Sequence, residues 1–217
     1  MLKKYVSDEG WVDYKGWQKD REGLKTYLEI LSNNPPNDSL QTAEEQLAYW
    51  INAYNAFTIE LILENYPLES ITDLHPAFYI PGVNTVWHKK FFEIGGVETS
   101  LDEIEHKILR VKFEEPRIHF AIVCASYSCP KLRNEAYRAS RLEQQLQEQA
   151  VAFINDPIRN QLSENKIKIS KIFKWFKGDF TKKGNLIDYL NQYASVKIRP
   201  DANIKHLDYN WDLNGQD

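Results

Sequence analysis

The stretch QTAEEQLAYWINAYNAFTIELILENYP, residues 41–67, constrains the fold more than any other part of the chain. Thr42 with Glu45 three positions on forms a capping box, in which the hydroxyl and the carboxylate each satisfy an orphan backbone N–H of the first turn. Leu47, Trp50, Ile51, Tyr54, Leu61 and Ile62 follow with helical periodicity, and Asn65-Tyr66-Pro67 stops the pattern because proline cannot continue a helix. A long, largely buried helix is therefore expected over 44–65. It carries Asn52 and Asn55 a turn apart among apolar neighbours. A buried amide without partners costs about 1–3 kcal/mol, so both are expected on the inner side, bonded across to the Cys129 turn or the His106 helix.

The rest of the chain alternates weaker signals. Residues 1–40 mix charge with aromatics and close on SNNPPNDS, a loop signature, so they read as a helical or irregular extension ahead of one compact unit over 41–217. KKFFEIGGVETS reads as a hairpin turning at Gly95-Gly96. A second capping box, Ser100 with Glu103, opens a short helix whose Leu101, Ile104 and Ile108 form its apolar face, while Asp102, His106 and Arg110 line up on another. RIHFAIVCAS, rich in β-branched, aromatic and small residues, reads as a fully buried strand. The segment from Pro130 to about Asn155 reads as helical, ENKIKISKIFKWF as a half-buried strand, and a last helix is expected around Asn185 to Tyr193. Helices packed around a small mixed β-sheet define an α+β class, without the regular alternation of a doubly wound fold.

Composition narrows the function classes. With 217 residues, 42 % hydrophobic and 27 % charged, the chain is that of an ordinary globular domain. A net charge of −4 gives no broad basic face for nucleic acid, and the lysines between Lys166 and Lys183 read as a solvated face. No apolar run is long enough for a membrane span, and the opening MLKKYVSDEGW has no secretion-signal core. The expected compartment is the cytoplasm, or the periplasm or exterior if a signal has been trimmed. Aromatics at 13 % suit a cleft that receives a peptide or protein substrate.

The chain's two cysteines lie five positions apart in IHFAIVCASYSCPKLR. If IHFAIVC is a strand, Cys124 ends it and Pro130 takes the first position of the next helix, leaving Cys129 at the N-cap. The helix dipole there favours a thiolate and the free N–H groups suit an oxyanion, so Cys129 is expected to be the more reactive thiol, unbridged to Cys124. Cys124 reads as a core residue or a second reactive thiol. A cysteine nucleophile needs a histidine within reach, and His106 is the best placed. His119 and Cys124, at opposite ends of one strand, would lie about 16 Å apart at ~3.3 Å per residue. A tetrahedral metal site from His106, His119, Cys124 and Cys129 has suitable atoms but a spacing that does not converge, so neither metal nor cofactor is assigned.

Four stretches in order, AYWINAYNAFTIELILENYP, SLDEIEHKILR, PRIHFAIVCASYSCPKLR and YNWDLN, resemble the DUF547 family, a domain of unknown function found in bacteria, plants and animals. The resemblance runs from about residue 40 through the tail. It places the family's recurrent features at Asn52, Asn55, Glu105, His106, Cys124, Cys129, Pro130, Trp211 and Asn214, with Asn210 where bacterial relatives often carry Asp. It also implies that plant relatives can lack the second cysteine, which gives weight to a binding role. Three readings stand. In the first, Cys129 attacks an amide or ester with His106 as base and Asn52 or Asn55 as orienting group, in a papain-like or transglutaminase-like site. In the second, Asn52, Asn55, Glu105, Arg110 and Arg133 form a polar network around a peptide-binding cleft without catalysis. In the third, Cys124 and Cys129 act as a redox pair.

Overall fold

A computed structural model describes residues 1–216. Its elements in chain order are α1 (Leu2–Tyr5), α2 (Tyr14–Gln18), α3 (Glu22–Asn33), α4 (Ala43–Asn65), β1 (Phe92–Ile94), β2 (Val97–Thr99), a π-helical segment Glu103–Leu109 continued by α5 (Arg110–Lys112), α6 (Leu142–Ile154), β3 (Lys166–Ile169), α7 (Ile172–Trp175), α8 (Lys177–Phe180), α9 (Leu186–Leu190) and β4 (Asn203–His206). Strands β1 and β2 pair antiparallel and β3 and β4 pair parallel, as two separate two-stranded sheets. The class is α+β.

The capping box of α4 forms as its sequence dictates: Glu45 N–H donates to Thr42 Oγ1 (3.2 Å) and Thr42 N–H to Glu45 Oε2 (2.8 Å). The helix stops at Asn65, because Tyr66 before Pro67 takes an extended conformation (φ −69°, ψ 138°). Nearly all of α4 from Gln46 to Leu63 is buried. Val12, Trp17 and Leu24 from the first forty residues share its apolar core. A second core gathers Phe120, Phe153, Phe173 and Phe180 with Ile167 and Ile169, the inward positions of the alternating strand β3. The hairpin turns at Gly95 (φ 61°) and Gly96 (φ 75°), left-handed positions that suit glycine, as expected from the sequence.

Two expectations fail between the cores. RIHFAIVC is not a strand: Pro116–Phe120 is a 3-10 helix, opened by Arg117 N–H donating to Glu115 Oε1 (3.0 Å), and the chain then turns at Ala121 and Ile122. The segment is buried on all sides, as its composition demands, but its neighbours are side-chain amides in place of strands. Asn55 Nδ2 donates to Ala121 O (2.9 Å), Val123 N–H donates to Asn55 Oδ1 (2.9 Å), and Gln149 Nε2 donates to Phe120 O (2.9 Å). Nor does a helix begin at Pro130. Helix α6 starts only at Leu142, and residues 130–138 form neither helix nor strand, held by Gln149 Nε2 on Lys131 O (2.9 Å) and by Asn52, which brackets Tyr137 through its backbone C=O (2.8 Å) and N–H (2.9 Å). Both asparagines thus bond inward, Asn55 to the approach of the cysteine turn and Asn52 to the chain beyond it.

Residues 207–216 tie distant segments together. Leu213 N–H donates to Glu69 O (2.8 Å), Tyr127 N–H to Asp212 O (2.6 Å), and Asn214 N–H to Ala125 O (3.1 Å). Val12 N–H donates to Asn214 O (2.9 Å), and Tyr14 Oη bonds Asn214 Oδ1 (2.7 Å).

Candidate functional site

The cysteine turn is the floor of the site. Ala125 sits in the left-handed region (φ 58°) and Cys129 N–H closes on Ser126 O (3.0 Å), so the chain doubles back within five residues. That reversal brings the Cα atoms of Cys124 and Cys129 to 6.3 Å, and the two sulfurs form a disulfide. The expectation of two free thiols is corrected, and so is the placement of Cys129 at a helix N-terminus. Cys129 is 2 % exposed, whereas Cys124 is only half-buried, so Cys124 is the more accessible member of the pair. Cys129 Sγ accepts the Cys124 N–H (3.0 Å) and the Tyr209 hydroxyl (3.4 Å). The same hydroxyl lies 3.3 Å from Cys124 Sγ and bonds Ser126 Oγ (3.1 Å). Burial pushes the Tyr209 phenol well above its ordinary value, so it stays a donor.

Above the bridge opens a cleft of about 690 Å³. One wall is aromatic, with Trp211 against Trp175 (ring centroids 5.9 Å), Tyr209 (4.5 Å) and Trp87 (5.5 Å). The other is polar: Glu105 and His106 come from the π-helical segment, Asp102 from its N-cap, Arg110 from α5 and His119 from the 3-10 helix Pro116–Phe120. The capping box of Ser100 and Glu103 sets this segment as its sequence implies (Glu103 N–H to Ser100 Oγ 3.2 Å, Ser100 N–H to Glu103 Oε2 3.2 Å).

Within the polar wall each group has a fixed role. Arg110 donates from Nε to Asp179 Oδ2 (2.6 Å) and from Nη2 to Asp179 Oδ1 (3.1 Å), while its Nη1 meets His106 Nδ1 at 2.7 Å. Arginine only donates, so His106 Nδ1 is an acceptor and the ring is neutral. Burial pushes that imidazole below its usual value, against the opposing pull of Asp102, whose carboxylate lies 3.7 Å from His106 Nε2 and 3.3 Å from His88 Nε2. His119, 3 % exposed, stacks on Phe176 (3.8 Å) and holds Asp179 Oδ2 through Nε2 (2.8 Å). Burial lowers the His119 pKa more than Asp179 raises it. For Asp179 burial works upward, but the hydrogen bonds from His119 and Arg110 outweigh it and hold the carboxyl well below the usual range. The pair is therefore a carboxylate with a neutral imidazole. Glu105 receives the Tyr54 hydroxyl (3.4 Å), and burial pushes its carboxyl up to about 7, against the pull of Arg110.

Cys124, Cys129, His106, Glu105 and Arg110 thus share one cleft. The two ring nitrogens of His106 are engaged by Arg110 and Asp102, and no contact joins it to either sulfur. Asn52 and Asn55 stand one layer behind, shaping the segments that carry the cysteines. Arg133 is drawn away by Glu135 (2.6 Å) and Glu148 (2.7 Å) and does not line the cleft. Of the tail residues, Trp211 lines it and Asn214 lies behind, on Tyr14. His119 is not held apart from Cys124 by a strand, because Pro116–Phe120 is a 3-10 helix; it lines the cleft with both cysteines. Asp179 and Tyr209 carry no local sequence signal and enter through tertiary contact alone, whereas Asp102 and Tyr54 are legible as helix-face residues but not as members of the site. No group of three or more His, Cys, Asp or Glu side chains able to hold a metal ion occurs among the described residues, and no described helix is long and apolar enough to cross a membrane.

The family model described as "Protein of unknown function, DUF547" matches residues 38–154. That span contains α4, the π-helical segment and the cysteine turn, while Asp179, Tyr209 and Trp211 lie beyond it. No curated protein and no solved structure matches the chain. With the match covering more than half of the 217 residues, the chain belongs to the DUF547 family, whose activity is not assigned.

Proposed function

We propose that the cleft performs thiol–disulfide exchange at the Cys124–Cys129 pair. The observation that carries this reading is the asymmetry of the bridge: Cys124 is the half-exposed cysteine at the floor of an aromatic cleft, while Cys129 is buried and its Sγ alone receives a backbone N–H, with the Tyr209 hydroxyl within reach of both sulfurs. In such an exchange a substrate thiolate attacks Cys124 Sγ and forms a new S–S bond. The Cys124–Cys129 bond breaks, and its electron pair leaves on Cys129 Sγ as a thiolate, the species that two hydrogen-bond donors stabilise. A second substrate thiolate then attacks the substrate sulfur of the mixed disulfide and releases Cys124, so that a dithiol is oxidised as the protein pair is reduced.

The test is mass spectrometry of alkylated peptides from the folded protein. Dithiothreitol under native conditions is expected to open the bridge, and Cys129→Ser with glutathione disulfide is expected to accumulate a mixed disulfide on Cys124. A bridge that opens only when the protein unfolds overturns the reading.

A second reading, acyl transfer with the reduced Cys124 as nucleophile, is supported by His119, a neutral imidazole oriented by Asp179 in the same cleft. Acylation of Cys124 by an activated ester, only after reduction of the bridge, would favour it.

A further inference from the structure

The polar wall contains one atom that its surroundings leave unsatisfied. Asp179 is a carboxylate held by two Arg110 bonds, so it has no proton to give, and His119 must donate to it from Nε2. This fixes the tautomer and leaves a lone pair on His119 Nδ1. That nitrogen is buried without a hydrogen-bond partner among the described residues. Its nearest acidic neighbour is Glu105 Oε1, at 3.7 Å. A proton on Glu105 would turn this contact from two facing acceptors into a donor and an acceptor.

We propose that Glu105 and His119 hold one exchangeable proton between them and are the acid–base pair of the cleft, drawing the proton from an incoming thiol and returning it to a leaving sulfur. The assignment rests on the thiol-exchange reading. As the substrate S–H loses its proton to the pair, its sulfur bonds to Cys124 Sγ and the bridge electrons pass to Cys129 Sγ. When a second substrate thiol resolves the mixed disulfide, the pair returns its proton to the released Cys124 thiolate, and the second thiol's proton passes to Cys129. Asp179 and Arg110 are positioning residues: they fix which nitrogen of His119 is free.

The groups facing the pair leave Glu105 as the one poised for this task. Tyr54 from α4 and Tyr209 from the tail are pushed upward by burial and keep their protons. Asp179 from α8 is held ionised, and Arg110 stays charged. His106 is pushed below its ordinary value by burial, and Asp102 completes the set from the same helix. Burial pushes the Glu105 carboxyl to about 7, where donor and acceptor forms coexist at neutral pH.

The experiment has two arms. In the wild-type protein, NMR of labelled histidine and glutamate should show His119 as the Nε2–H tautomer and Glu105 titrating near neutrality. An Nδ1–H tautomer, or a Glu105 carboxyl titrating in the ordinary carboxylate range, overturns the proposal whether or not the bridge exchanges. The second arm compares bridge opening by dithiothreitol in wild type and Glu105→Gln across pH. The ratio of the two rates, in which the reagent's own ionisation cancels, should rise as pH passes through 7 and reach about tenfold or more. A flat ratio near one removes Glu105 from the chemistry. A bridge inert to thiols even in wild type sinks the exchange reading, while the tautomer and titration still decide the pair.

Discussion

Arg110 holds Asp179 through two hydrogen bonds, Nε to Oδ2 at 2.6 Å and Nη2 to Oδ1 at 3.1 Å, and so links α5 to α8 across 69 positions of chain. Both side chains are largely screened from water, with 28 % and 18 % exposure. Replacing Arg110 with Met keeps most of the packing and strands the carboxylate. Charged hydrogen bonds of this kind are worth roughly 1.5–3 kcal/mol, so Arg110→Met should lower the unfolding free energy by that amount, read as a lower urea midpoint at an unchanged slope.

Glu105 makes stability depend on pH in an unusual direction. Its folded pKa, about 7, stands above its ordinary value of 4.5, so between those values the folded protein binds more protons than the unfolded chain. Stability contributed by this group is full below pH 4.5, declines as pH rises through the window, and is lost above 7. The difference is on the order of 3 kcal/mol. Glu105→Gln, measured by denaturant unfolding at pH 5 and pH 8, should be more stable relative to wild type at the higher pH. An equal difference at both pH values would falsify this assignment of the shift.

Asn55 substitutes for a neighbouring strand at the approach to the cysteine turn. Asn55→Leu removes the partners of two buried backbone groups, Ala121 C=O and Val123 N–H, and should cost roughly 2–4 kcal/mol. Asn52→Leu, at a half-buried position, should cost less. Thermal unfolding of the two variants checks the order.

The bridge closes only a short loop, 124–129, so loop-closure entropy predicts about 2 kcal/mol of stabilisation. The double variant Cys124→Ser with Cys129→Ser should remain folded and lose about that much, as read by calorimetry. Tyr209→Phe should retain the bridge but open it more slowly under dithiothreitol, by about tenfold, because the leaving Cys129 sulfur loses a donor. An unchanged opening rate would show that the hydroxyl does not reach the leaving sulfur.

What the sequence revealed was what local chemistry decides. Thr42 and Glu45, Pro67, Gly95 and Gly96, and Ser100 and Glu103 act on backbone within a few residues of themselves, and their helices and turn formed where they point. RIHFAIVC was legible as buried but not as to what buries it. Apolar content reports burial, whereas strand identity requires a partner strand, and here Asn55 and Gln149 supply the bonds from 66 and 29 positions away. A strand through His119 separates it from Cys124, while the turn that exists brings both to one cleft. Asp179 reaches His119 across 60 positions and Tyr209 reaches the two sulfurs across 80 or more, which no local pattern encodes.

The tail gives the site a place in time. During synthesis the cysteine turn emerges some 80 residues before Tyr209, whose hydroxyl touches both sulfurs, and before the backbone of Asp212 and Asn214 that pins Tyr127 and Ala125. For that interval the turn lacks those contacts. The order of translation therefore separates joining the two sulfurs from setting a hydroxyl against them: a cysteine pair oxidised early receives Tyr209 afterwards, and one still reduced is met by Tyr209 as thiols.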